Sequence, residues 1–332
     1  MPGHVLVTGG TGFIGAHLAG RLLRDGYEVF VTSRRPDAPA ARALAAAGAH
    51  VVAADLVRWD DVAACAAAAP FDAIFHLGAN VNMTGDDMRR TNVEGTMNVL
   101  RLAGETRATW LLFASSIEAQ GLASAAEVPL SESRSCAPPT PYGASKVEGE
   151  SLSLAFAERT GIPVCIARIG NTYGPGGLGF VHFFLRTLLT DDQAVPALPA
   201  IGGRLLQPIF VSDLVEALAR AAHGRVAGVF NFTGRTPASI AEWMRALADV
   251  LGVEALARRR LEAPPPDDLG AAATVPEVAY FLLHDGERIH RAYTDAKLRA
   301  AIGDYQRHDL HRGLAATLGW LDRAGALEPL LQ

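Results

Sequence analysis

The chain has 332 residues, enough for one large α/β domain with a smaller lobe or for two modest domains. It is 49% hydrophobic and 20% charged with a net charge of −5, so it lacks the basic surplus of a nucleic-acid binder. Its three cysteines (Cys65, Cys136, Cys165) make no disulfide or zinc pattern, its histidines show no HExxH spacing, and no apolar run reaches the ~20 residues of a membrane span. The expected setting is reducing and cytoplasmic, with no metal, nucleic acid or membrane partner. A strand-like run starts at His4, so no signal peptide is expected. Arg258, Arg259 and Arg260 read as a solvated helix face.

In chain order, nearly continuous apolar runs predict strands at 4–8, 28–33, 50–54, 73–77, 110–115 and 163–169. Helical patterns fall between them at 14–24, 42–47, 62–68, 93–105 and 144–160. Strand, helix, strand at this spacing predicts βαβ units, hence an α/β chain with a Rossmann-type doubly wound parallel sheet. After Asn171, glycine and proline become frequent; runs at 208–211 and 229–233 read as returns to the main sheet. The expected division is a dinucleotide-binding domain over 1–171 plus about 208–233. The smaller, discontinuous C-terminal substrate lobe takes about 172–207 plus 234–332.

Thr8-Gly9-Gly10-Thr11-Gly12-Phe13-Ile14-Gly15 follows the first strand and opens a helix. One glycine allows the tight turn, another lets backbone approach a pyrophosphate, and the last lets helix and sheet close up. Free N–H groups and the positive dipole end then face the phosphates, making Gly9, Gly12, Phe13, Ile14 and Gly15 the expected contacts. The second strand ends Thr32-Ser33-Arg34-Arg35, without the carboxylate that binds ribose hydroxyls in an NAD site. Two guanidiniums suited to a 2′-phosphate favour NADP(H) over NAD(H). Asp55 and Leu56 are candidates for the adenine side.

Tyr142-Gly143-Ala144-Ser145-Lys146 puts Tyr142 and Lys146 on one face of a helix. An ammonium there is expected to favour the phenolate and lower the tyrosine pKa. Ser116 is placed to orient a substrate oxygen against Tyr142.

These residues resemble the extended short-chain dehydrogenase/reductases, which include sugar-nucleotide epimerases and dehydratases as well as ketone reductases. The likeness runs through TGGTGFIG (8–15), HLGA (76–79), NVEGTMNVL (92–100), FASS (113–116), YGASK (142–146), RIGNTYGPGG (168–177) and IFVSDLVEAL (209–218). It implies that Ser116, Tyr142 and Lys146 are catalytic, with Tyr142 and Lys146 also touching the cofactor. It further implies that Leu77, Gly78 and Ala79 line the cofactor, that Ile169 and Asn171 lie near nicotinamide and substrate, and that Asn92 is a structural or active-site-organising residue. A homodimer through two helices, one carrying the tyrosine and lysine, is expected on the same ground.

Departures from the pattern concern the substrate. The segment where sugar-nucleotide enzymes carry a phosphate-binding arginine reads Leu205-Leu206-Gln207, with Arg204 nearby, and the RPGD-like motif is missing around 285–293. Glu118 stands where 4,6-dehydratases keep an acid, but Ile117 replaces the second carboxylate. Ser115, Glu118, Asn171, Phe180, Phe184 and Tyr280 are the substrate candidates, with core packing the competing reading for the aromatic ones. The sequence therefore favours a ketoreductase acting on a small molecule. An epimerase or dehydratase using its cofactor transiently is the alternative, and a silent dinucleotide sensor the reading from another class.

Overall fold

Alternating β-branched and Ala/Leu-rich stretches give strand and helix in turn. The structure, a computed structural model, describes residues 3–81, 86–177, 179–189, 202–262 and 290–327. β1 (His4–Thr8) passes through the glycine loop into α1 (Phe13–Arg24), followed by β2 (Glu28–Ser33), α2 (Pro39–Ala46), β3 (His50–Ala53) and α3 (Trp59–Ala64). Next come β4 (Phe71–His76), the short α4 (Asp86–Arg89), α5 (Gly95–Glu105), β5 (Leu111–Ser116), α6 (Pro141–Thr160) and β6 (Val164–Ile169). A π-helical turn, Arg90–Glu94, joins α4 to α5. Beyond β6 lie β7 (Thr172–Tyr173), α7 (Gly179–Leu189), β8 (Leu205–Leu206), β9 (Ile209–Phe210), α8 (Val211–His223) and β10 (Gly228–Phe232). β11 (Ala238–Ser239), α9 (Ile240–Leu251), α10 (Glu254–Glu262), α11 (Ala296–Ile302) and α12 (Leu310–Arg323) complete the described elements.

Seven strands form one sheet in the order β10-β6-β5-β4-β1-β2-β3, and every pairing is parallel. The chain moves outward from β1 to β3, then recrosses to β4. That reversal opens a crevice beyond the carboxyl ends of β1 and β4, where ligands bind in open α/β sheets. Side chains alternate between faces. Val5 and Val7 join a core with Leu18, Leu22 and Leu218, while Leu6 joins another with Ile74, Val99, Phe113 and Phe156. Covered on both faces, β5 and β6 are buried at every residue, which is why they read as unbroken apolar runs.

A third core lies outside the sheet. α7, α9, α10 and α12 gather Phe184, Leu185, Leu247, Leu314 and Leu318 around the buried Trp243. α9 starts at a Ser239/Glu242 capping box and stops at Gly252, whose φ of 72° suits glycine. Leu298 of α11 and Tyr305 pack instead with the sheet. Of the two expected returns to the sheet, 229–233 yields β10 beside β6. The other does not return: β9 pairs with β7 in a separate ribbon. Pro208 lacks the N–H for a longer ladder, and Val211 already begins α8. Among the described residues no helix is long and apolar enough to cross a membrane.

Candidate active site

A cleft of about 940 Å³ opens beyond the carboxyl ends of β1, β4, β5 and β6. Its upper part is the glycine loop. Gly9 has a φ of +66°, and a Cβ on Gly15 would lie 2.2 Å from the Gly9 carbonyl oxygen, so helix and loop meet only because side chains are absent. Gly12 is the N-cap of α1 and offers no side-chain cap, which leaves the first N–H groups of the helix to the cleft. A side chain at Gly12 would meet only the Gly9 oxygen within 4 Å. Open space over uncapped N–H groups fits a dinucleotide pyrophosphate.

Gly9, Gly12, Phe13, Ile14, Gly15, Ser33, Arg34, Asp55, Leu56, Leu77, Gly78, Ala79 and Ile169 all line this cleft. Arg35 does not: its backbone N–H donates to Ser33 Oγ at 3.2 Å and its exposed side chain is not among the lining residues. Asp55 turns one carboxylate oxygen to the Val57 N–H at 3.2 Å, bracing the loop it stands on.

A hydrogen-bonded chain ties this region to α6. Thr96 Oγ1 donates to the Asn92 carbonyl at 2.6 Å, so toward His76 Nε2, 3.0 Å away, it must accept. His76 Nδ1 then accepts from Thr8 Oγ1 at 2.8 Å, and Thr8 Oγ1 accepts from the Gly78 N–H at 3.1 Å. Burial holds His76 neutral, its pKa pushed down to about 3, with the Lys146 charge acting in the same direction. From the π-helical turn, Asn92 Nδ2 donates to the Asn80 carbonyl and to Ser145 Oγ, both at 3.0 Å. Asn92 thus ties the segment at Asn80 to α6.

Thr140 fixes the start of α6, its hydroxyl accepting the Gly143 N–H at 3.0 Å with Pro141 following at the first helical turn. Tyr142 and Lys146 consequently share a face. Ser116, at the end of β5, accepts the Glu118 N–H at 3.2 Å and is hydrogen-bonded to the Tyr142 phenol. Lys146 Nζ donates to the Ala114 carbonyl at 2.8 Å and lies 5.6 Å from the Tyr142 ring centre. The expectation of a lowered tyrosine pKa is corrected here. Burial pushes Tyr142 up to about 12, Glu118 adds to the rise, and the Ser116 hydrogen bond opposes it. Lys146 is itself pushed down to about 8 by burial, against the pull of Glu150. Desolvation is the largest influence on both groups.

Of the substrate candidates, Ser115, Glu118 and Asn171 line the cleft. Asn171 Oδ1 is buried with no protein donor, an acceptor left for a ligand. Phe184 is instead 1% exposed in the lobe core, and Phe180 packs edge-on against Trp243 with ring centres 5.1 Å apart. Tyr280 lies outside the described residues.

Arg291 was missed from sequence. It lines the cleft and pairs with Glu118, Nη1 to Oε1, at 2.6 Å, both side chains nearly buried. The Arg291 N–H donates to the Leu205 carbonyl, and Gln207 brackets Tyr293 by accepting its N–H and donating to its carbonyl. Gln207 therefore serves as a backbone clamp in the segment where a phosphate-binding arginine was sought. No local pattern marks Arg291; the Gln207 clamp and backbone bridges from His290 to Ala123 and from Tyr293 to Leu130 bring it more than 170 positions back to Glu118. A separate cavity of about 1080 Å³ in the lobe, lined by Trp243, Arg245 and His308, contains no part of this centre.

Fold and cleft define an enzyme of the extended short-chain dehydrogenase/reductase type, built to use an NAD(P) cofactor with a serine, a tyrosine and a lysine at its centre. The chain belongs to the NAD dependent epimerase/dehydratase family, whose profile matches residues 5–231. It is similar to a putative UDP-glucose 4-epimerase of Methanocaldococcus jannaschii, 24% identical over 336 residues that cover 96% of this chain and 98% of that protein. It is also similar to a dTDP-glucose 4,6-dehydratase of Streptomyces griseus, 28% identical over 340 residues, covering 96% and 94%. The crystal structure of dTDP-glucose 4,6-dehydratase from Bacillus anthracis in complex with NAD superposes with a TM-score of 0.77 at 18% identity, covering 98% of this chain and 99% of that one.

Proposed function

We propose that the chain epimerises a sugar carbon of a nucleoside diphosphate sugar, oxidising a secondary hydroxyl and reducing the ketone from the opposite face without net consumption of NAD(P). The observation that carries this reading is Tyr142 bonded to Ser116 beside Lys146, at the floor of a cleft roofed by the glycine loop. When bound, the nicotinamide supplies the acceptor and then the donor of the hydride. In its phenolate form, favoured by the Lys146 charge beside it, Tyr142 takes the hydroxyl proton as the carbon is oxidised, and as the resulting phenol it returns that proton on reduction. Ser116 donates a hydrogen bond to the same oxygen, and Lys146 provides the chain's own positive charge close to the phenol.

The preference for a ketoreductase drawn from sequence gives way here, because the relatives named above carry sugar-nucleotide activities in their names. Dehydration is disfavoured within that group. It would require a free base and a second acid, whereas Glu118 is held by Arg291 and Ile117 is a buried alkyl group. The dinucleotide reading keeps NADP(H) ahead of NAD(H), supported by Arg34 in the cleft and the lack of a carboxylate at the end of β2. We extend the proposal to a homodimer formed through α5 and α6.

The test is incubation of the purified protein with UDP-glucose, dTDP-glucose or UDP-glucuronate and either cofactor. Absorbance at 340 nm and proton NMR of the sugar are followed together. An epimer forming with flat absorbance is expected. Stoichiometric loss of NADPH with a ketone substrate would restore the reductase, and a deoxy-keto product would establish the dehydratase. Arg34→Ala should weaken NADPH binding about tenfold and leave NADH unchanged; equal effects on both would remove the 2′-phosphate role.

A further inference from the structure

Three side chains one turn apart on α6 grip three successive residues at the end of β5. Tyr142 bonds Ser116, Lys146 Nζ donates to the Ala114 carbonyl at 2.8 Å, and Glu150 Oε1 accepts the Ser115 hydroxyl at 2.5 Å. The third contact has no place in the chemistry above, and it continues into the protein. Arg168 of β6 pairs with both oxygens of Glu150, Nε to Oε1 at 2.9 Å and Nη2 to Oε2 at 2.7 Å, with each side chain only 6% exposed. The remaining guanidinium contacts reach the loop before α6: Nη1 donates to the Glu132 carbonyl and Nη2 to Cys136 Sγ, each at 3.2 Å.

A buried ion pair is an expensive way to hold a strand end, because removing two charges from water costs more than apolar packing of the same volume. Its location points to a use. Glu150 is four residues beyond Lys146 on the same helix, where side chains are neighbours, and its charge acts on that lysine. We infer that Glu150, fixed by Arg168 and Ser115, is a positioning residue that keeps Lys146 charged while locking the strand end that presents Ser116.

The other groups around Lys146 do not supply this charge. His76 on β4 is held neutral, Phe113 on β5 offers only its ring face at 5.2 Å, and the Ala114 carbonyl is an uncharged acceptor. Tyr142 on α6 is biased toward the neutral phenol by burial, and Glu118 beyond β5 acts on Tyr142 rather than on Lys146. Arg168 on β6 is the opposing charge, joined to Glu150 itself.

The sequence makes the test direct, since Lys146 and Lys297 are its only two lysines. Protein labelled with [13Cε]lysine gives two titrating side-chain signals, and the exposed Lys297 serves as internal reference. In the native chain Lys146 should titrate near pH 8. In Glu150→Gln its midpoint should fall by about one unit or more while Lys297 stays fixed. Should Glu150→Gln fail to fold, the paired replacement Glu150→Leu with Arg168→Met leaves no unmatched guanidinium and is read in the same way, with a smaller fall expected because the opposing charge is lost together with the carboxylate. An unmoved Lys146 in a folded variant overturns the inference and reduces Glu150 to a structural brace. The titration requires neither substrate nor turnover, so its outcome is independent of the epimerase reading.

Discussion

At the level of single residues, two groups of opposite polarity are displaced toward each other by the same desolvation. Tyr142 rises to about 12 and Lys146 falls to about 8, so each is biased toward its uncharged form. Tyr142→Phe removes the proton-transfer group and one hydrogen bond, with the ring left in place. Turnover should fall by roughly 10² to 10⁴, and stability by about 1 kcal/mol. Retained turnover on a confirmed substrate would exclude the tyrosine from acid–base work. The lysine is expected to set the pH range: its ammonium predominates below about pH 8 and is lost as pH rises through that value, rather than near the ~10.4 of a free lysine. An alkaline limb close to pH 8 is expected in kcat/KM, and kcat/KM constant to pH 10 would show that the charge is not needed. The triad could be read from sequence because helical spacing places Tyr142 and Lys146 together. The pKa direction could not, since it depends on how deeply the fold buries the pair. Arg291 is illegible for a related reason, being brought to Glu118 by long-range contacts, the Gln207 clamp and the bridges to Ala123 and Leu130.

At the level of elements, the glycine loop joins sequence to chemistry most directly. Each strand of the first half was placed to within two residues, because a parallel sheet covered on both faces writes itself as unbroken apolar runs. Two-residue ribbons write no such signature, and β9 was accordingly misplaced. Phe184 was ambiguous for another reason: an aromatic residue on a helix looks alike whether it faces ligand or core. Gly15→Ala tests the loop itself. Its new Cβ would stand 2.2 Å from the Gly9 oxygen and 2.8 Å from Gly10 Cα, both backbone atoms that cannot swing aside. Loop and α1 must separate, at a cost of about 1–3 kcal/mol, and the N–H groups lose their convergence on a phosphate. A thermal melt combined with a cofactor titration should show a modest fall in Tm and a large loss of NAD(P) affinity. Unchanged affinity would mean that the pyrophosphate sits elsewhere.

At the level of the whole molecule, the sheet and lobe cores bury nearly all the large apolar side chains of the described residues, and the exceptions are informative. Among the described residues only Val81, Met97 and Leu154 are large, hydrophobic and exposed, at 68%, 45% and 41%. Met97 lies on α5 and Leu154 on α6, two helices that pack against each other on one side of the sheet. Scattered exposed apolar residues need no explanation, but two on paired helices fit an isologous face on which each residue of one protomer meets its symmetry mate. α6 also carries Tyr142, Lys146 and Glu150 on its inward side, so a partner against its outer side would brace the catalytic helix along its length. Leu154→Glu places a carboxylate in that contact and, by symmetry, repeats it across the two-fold axis. Light scattering at micromolar concentration should report a dimer for the native chain and a monomer for Leu154→Glu. The fold itself should survive, because position 154 is exposed in the single chain. A native monomer, or a variant that remains dimeric, would assign Met97 and Leu154 to ordinary surface and leave α6 supported by the sheet alone.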